Sequence, residues 1–115
     1  MYKRILVPVD GSPASTLGLR EAVRLAKDQH ARMRVIHVVD EAVLSQYPEA
    51  VDSAGRLLET FINDGKKTLD DAVALAARNG IKAECVLYKK ILGPLADLIV
   101  KEAKKWRADI IVVGT

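Results

Sequence analysis

The side chains best placed for chemistry fall at the ends of apolar runs. Asp10 closes Ile5-Leu6-Val7-Pro8-Val9, Asp40 closes His37-Val38-Val39, and Gly114-Thr115 follows Asp109-Ile110-Ile111-Val112-Val113. A carboxylate at the tip of a strand accepts hydrogen bonds from ribose hydroxyls or an adenine amino group, and main-chain groups beside small or β-branched residues can read a flat base. Asp10-Gly11-Ser12-Pro13 is equally an ordinary strand-to-helix turn, with Asp10 and Ser12 bonding nearby amides, and one glycine at position 114 is no phosphate cradle. His37 suits an acid–base group at a pocket or, more simply, a hydrogen-bonded core or rim histidine, while His30 reads as solvated. Lys89-Lys90 could neutralise phosphate but reads first as a solvated loop pair. No serine pairs with a histidine in a nucleophile elbow, and Asp10 and Asp40 form no assignable acid–base pair, so no catalytic machinery is legible.

The elements that must position these groups follow from hydrophobic period. Lys3 to Val9 is continuously apolar after its basic start, as in a strand covered on both faces. Ser12 as N-cap and Pro13 at the first position open a helix whose Leu19, Ala22, Val23 and Ala26 share one face. Met33 to Val39 reads as a second strand, parallel to the first because a helix intervenes. A longer helix spans about Ser53 to Asn79, with Leu58, Phe61, Ile62, Leu69, Ala72, Val73 and Ala76 in register and Gly80 ending it. Ile81, Ala83, Cys85 and Leu87 alternate as in a strand near a sheet edge. A third helix begins near Pro94 with Leu95, Leu98, Ile99, Ala103 and Trp106 on one side, Glu102 being the exception that must snorkel or pair. Asp109 to Val113 is a fourth strand. The order β-α-β-α-β-α-β calls for an α/β fold with a doubly wound parallel sheet and helices on both faces.

Composition narrows the function classes. A chain of 115 residues, half apolar and 29% charged, suits one domain with a real core. No apolar run approaches a membrane span or a leader peptide, which points to a cytoplasmic protein with no membrane partner. The single cysteine, Cys85, permits no internal disulfide and reads as core packing. The net charge of +3 comes from lysines and arginines interleaved with acids, and aromatic residues are few, which argues against nucleic acid. Glu41 to Asp52 is the one stretch without apolar period and reads as flexible.

Taken together, Ile5-Leu6-Val7-Pro8-Val9-Asp10-Gly11-Ser12, His37-Val38-Val39-Asp40, Gly93-Pro94 and Asp109-Ile110-Ile111-Val112-Val113-Gly114-Thr115 resemble the universal stress protein family, in order and at fitting spacing. The resemblance implies a sheet ordered 3-2-1-4-5, with an adenine-nucleotide site in the ATP-binding branch at Pro8, Val9, Asp10, Val38, Val113, Gly114 and Thr115. It implies ATP as ligand, with AMP or ADP as alternatives and Mg2+ as companion ion; any ATP hydrolysis should be slow, since no arginine finger or metal-binding pair of acids can be assigned. It also implies a homodimer and a further, unidentified protein partner. In the family pattern Gly114 would open a glycine-rich phosphate loop, followed by a last helix and a fifth strand. Residues 1–115 are therefore expected to be one universal-stress-protein-like domain, C-terminally incomplete. Micromolar binding needs about 8 kcal/mol, and phosphate loops supply several bonds of roughly 1.5 to 3 kcal/mol each, so these residues alone should hold ATP no better than about millimolar. Two functions fit: a stress-response switch governed by nucleotide occupancy, or a module of the same fold that binds no nucleotide and acts by dimerisation or docking.

Overall fold

The run Ile5 to Val7 is almost wholly inaccessible to solvent, which only a strand covered on both faces and paired on both edges achieves. In a computed structural model, residues 2–42 and 54–114 are described. They form β1 (Arg4–Pro8), α1 (Pro13–Gln29), β2 (Arg32–Asp40), α2 (Ala54–Arg78), β3 (Glu84–Lys90), α3 (Leu95–Trp106) and β4 (Ile110–Ile111). The strands are all parallel, in the order β3-β2-β1-β4. The doubly wound α/β class expected from the sequence is the one observed.

Strand pleat sorts the core into two layers. Ile5, Val7, Val9, Met33 and Val35 pack with Leu19, Val23 and Ala26 of α1 and Leu69, Ala72 and Ala76 of α2. Leu6 and Ile36 point the other way, onto Ala103 and Trp106 of α3, with Val86, Tyr88, Ile99 and Ile111 around them. The helix boundaries have local causes. Ser12 Oγ accepts the Ser15 N–H at 3.1 Å and Pro13 opens α1. The helix ends at His30, which is left-handed with φ of 54°. Gly80, at φ 79°, follows α2 as its left-handed exit.

The one charged residue that the sequence sets on the apolar side of α3, Glu102, is paired. Glu102 is 5% exposed and lies 3.7 Å from Arg34 Nη1. Arg34 and Arg32 both donate to Glu84, at 2.7 and 2.5 Å, and these hydrogen bonds hold the Glu84 carboxyl below its ordinary range. Arg34, Arg4 and Arg32 also stand 4.8, 5.7 and 5.9 Å from the centroid of the Trp106 ring, as cation–π attraction favours. Burial, and then the hydrogen bond to Glu102, push the Tyr88 phenol up to about 12. Trp106 thus seals α3 against the sheet and anchors a charged rim.

Four expectations need correction. Cys85 is exposed, not core, because β3 is an edge strand with a neighbour on one side only. That strand runs Glu84–Lys90, so Ile81 and Ala83 precede it. It ends on Lys89-Lys90, which therefore form no solvated loop; Lys90 is 9% exposed and paired with Asp40. The ladder of β4 is shorter than its apolar run, covering Ile110 and Ile111 only. The segment expected to be flexible falls, from residue 43 onward, outside the described residues.

Gly65 sets how closely α2 approaches β2. A Cβ there would lie 2.6 Å from His37 Cδ2 and 2.9 Å from Leu87 Cδ1. Gly65→Ala should therefore lower stability by about 1–3 kcal/mol through overpacking, outweighing a helix-propensity gain of about 1 kcal/mol. Urea unfolding checks this, and adding His37→Ala should recover part of the loss.

Candidate functional site

The chain travels outward from β1 through β2 to β3, then crosses back to β4 on the other side of β1. Such a reversal opens a crevice at the carboxyl ends of the central strands. Pro8 pairs with Ile36 and Leu6 with Ile111. Continuing those registers sets Val38 level with Asp10 and Val113 level with Pro8. Pleat alternation puts Pro8, Val38 and Val113 on the α3 face. Pro8 and Val38 are half-buried, and Val113 is 58% exposed. The result is an apolar step across three strand ends. Val9 points the opposite way into the core, and its main chain is engaged: its N–H donates to Ile36 O at 2.8 Å and its carbonyl meets His37 Nδ1 at 2.8 Å. Thr115 lies outside the described residues.

Asp10 is exposed at the rim of this step. Its Oδ1 accepts the Ser12 N–H at 2.9 Å, and its own N–H donates to Ser15 Oγ at 3.0 Å. The ordinary turn foreseen from Asp-Gly-Ser-Pro is present, and it fixes the carboxylate without covering it. Hydrogen bonds from Ser12, aided by the charge of nearby His37 and by Ser15, hold the Asp10 carboxyl below its ordinary value of 3.8. His37 is a rim histidine that ties β2 to the tip of β1. Beneath the end of β2, a hollow of about 240 Å³ is lined by His37, Val38, Val39, Asp40, Phe61 and Asp64.

Gly114 meets the first turn of α1. A Cβ on it would run into the Ala14 carbonyl, and a Cβ on Gly18 would lie 2.7 Å from Gly114 N. The two glycines thus allow main chain to touch main chain, and the end of β4 sits directly on the helix that follows Asp10. On the other flank, Asp40 accepts Lys90 Nζ at 3.1 Å and the Ala42 N–H at 3.0 Å, which clamps the ends of β2 and β3 together. Sequence reasoning missed Ser15, Gly18 and the Asp40–Lys90 pair. The small residues Ala14, Ser15, Gly18 and Ala22 recur at helical spacing and are the legible sign of a close approach; the ion pair follows only from strand register. Among the described residues, no three His, Cys, Asp or Glu side chains cluster to hold a metal ion, and no helix is long and apolar enough to cross a membrane.

An all-parallel sheet that reverses direction at its central strand, with a carboxylate at the crevice, defines a doubly wound α/β protein with a site at its switch point. The chain belongs to the universal stress protein family, whose model matches residues 1–115. It is 33% identical to universal stress protein YxiE of Bacillus subtilis over 100% of this chain and 80% of that protein. A universal stress family protein from Burkholderia pseudomallei superposes with a TM-score of 0.85 at 32% identity, covering 99% of this chain and 82% of that one. The universal stress protein of Archaeoglobus fulgidus, solved in complex with dAMP, superposes with a TM-score of 0.75 at 27% identity, covering 97% and 80%.

The turn has a pH signature. A depressed carboxyl contributes stability that is present above its ordinary value, 3.8 for Asp10, and is lost as pH falls through the folded value. Asp10→Asn should unfold more readily than the parent near neutral pH, with the gap closing in acid. Urea midpoints from about pH 6 to about pH 2 measure it. Ser12→Ala, which also removes the helix cap, should cost about 1 kcal/mol on its own.

Proposed function

We propose that this chain binds an adenine nucleotide, ATP in the first instance, at the carboxyl edge of β1, β2 and β4, and that occupancy acts as a signal. The reading is carried by the shared orientation of Pro8, Val38 and Val113 beside an ionised, exposed Asp10. A flat base needs an apolar step of that kind, and a ribose or exocyclic amine needs an acceptor at its edge. The dAMP complex of the Archaeoglobus relative lends support. In this reading the main chain at Val9, Val38 and Gly114 borders the nucleoside. Signalling then means that nucleotide shifts the population of one arrangement of this edge against another.

A second reading has its own observation. Ile91 and Leu92 are 65% and 88% exposed, and Leu95 is 48% exposed, and such apolar side chains suit a dimerising or docking module.

Titration of the chain with ATP and AMP, followed by amide NMR, separates the two. Nucleotide binding predicts saturable shifts at Asp10, Val38, Val113 and Gly114, with affinity near millimolar and at least about threefold weaker in Asp10→Ala. Shifts elsewhere, or none, would count against nucleotide binding. Concentration-dependent sedimentation that is lost in Leu92→Ser, without nucleotide shifts, would favour the module.

A further inference from the structure

A cleft roomier than the hollow at the end of β2 lies away from the strand reversal. It lies between α1 and α2 on the opposite face of the sheet and encloses about 500 Å³, a volume in the range of small-ligand pockets. Its floor is apolar, made by Leu19, Ala72 and Leu75, and its walls carry the hydroxyls of Thr16 and Thr68. The charges around it are unequal. Lys67 and Asp71 neutralise each other at 3.5 Å, and Asp64 is the remaining acid. Arg20 and Arg78 line the cleft and make no ion pair among the described residues. An adjoining hollow extends it past Arg24 and Lys27 with no acid in its lining, although Arg24 pairs with Glu21.

We infer that this cleft is a second binding site, for a small organic anion with an apolar body. The anionic head would lie between the Arg20 and Arg78 guanidinium groups, which bind a carboxylate or phosphate through paired N–H donors. The apolar body would cover Leu19, Ala72 and Leu75. Neither half suffices by itself: exposed arginines hold a bare anion weakly, and Leu19, Ala72 and Leu75, 4%, 3% and 6% exposed, offer an uncharged chain little surface to cover. Occupancy also bears on the strand-reversal edge, because Val9 and Gly11 form one end of the cleft and Gly11 lies against Thr68. The inference does not rest on nucleotide binding and uses none of its residues except Val9, which both border.

The test is titration of the whole chain with octanoate, with acetate and octan-1-ol as head-only and body-only controls, read by methyl NMR. Octanoate is expected to shift the Leu19 and Leu75 methyls saturably, and at least about tenfold more tightly than either control. The exposed pair Arg20→Ala/Arg78→Ala should leave the spectrum folded and weaken octanoate at least about tenfold. Arg20→Lys/Arg78→Lys should restore part of it. Octanoate bound no more tightly than acetate or octan-1-ol, or equally well by parent and alanine double variant, would overturn the proposal.

Discussion

Strand β1 can keep its main chain paired and its side chains dry only if other strands flank it on both edges and helices cover it on both faces. Ile5, Leu6 and Val7, each 0–1% exposed, impose that demand. Right-handed crossovers then settle the rest. The two connections leading outward to β2 and β3 deposit α1 and α2 on one face, and the connection that returns to β4 deposits α3 on the other. The reversal beside β1 is thus a consequence of how that strand is buried, and the crevice at its carboxyl end comes with it. A site at the end of β1 needs no separate scaffold.

The two ends of the sheet are stabilised by different chemistry. At the amino end, Arg4, Arg32 and Arg34 gather around Trp106, with Glu84 and Glu102 compensating them, so the charge is locked into geometry. Burying an arginine and a glutamate without each other would be costly, and the aromatic ring gives the guanidinium groups a further surface. At the carboxyl end the charges are fewer and more open. Asp40 and Lys90 close the flank between β2 and β3, while Asp10 remains exposed in its turn. The amino end is therefore the more tightly tied, and the carboxyl end retains an exposed carboxylate and uncovered apolar side chains.

Most of the fold was legible in the sequence because apolar period encodes it directly: Leu19, Ala22, Val23 and Ala26 are all buried as expected. Ser12, Pro13 and Gly80 marked helix ends through local backbone chemistry, which requires no tertiary information. Cys85 and Lys90 were misread for the opposite reason. Alternation along β3 reveals a strand but not which of its residues a neighbouring element reaches, and Lys90 becomes a buried partner of Asp40 only once register is known. At the candidate site, Asp10 and Val38 were legible as strand-end residues. The role of Gly18 was not, since its value lies in a contact with Gly114, 96 positions along the chain.

The turn from β1 into α1 lies between the strand-reversal edge and the interhelical cleft. Gly11 holds φ of 83°, a conformation that side-chain-bearing residues rarely adopt, and this lets the chain pass from the exposed Asp10 on one side to the Thr68 wall of the interhelical cleft on the other. Ser12 and Ser15 brace the turn on its helix side, and His37 braces it from β2 through the Val9 carbonyl. A displacement of α1 relative to α2 must therefore reach Asp10 through Gly11, Ser12 or Ser15, or else break those hydrogen bonds. Coupling between distant sites needs an element with two arrangements that both sites bias. This span from Asp10 to Ser15, which reaches both the strand-reversal edge and the interhelical cleft, is the part of the fold where such an element would have to lie.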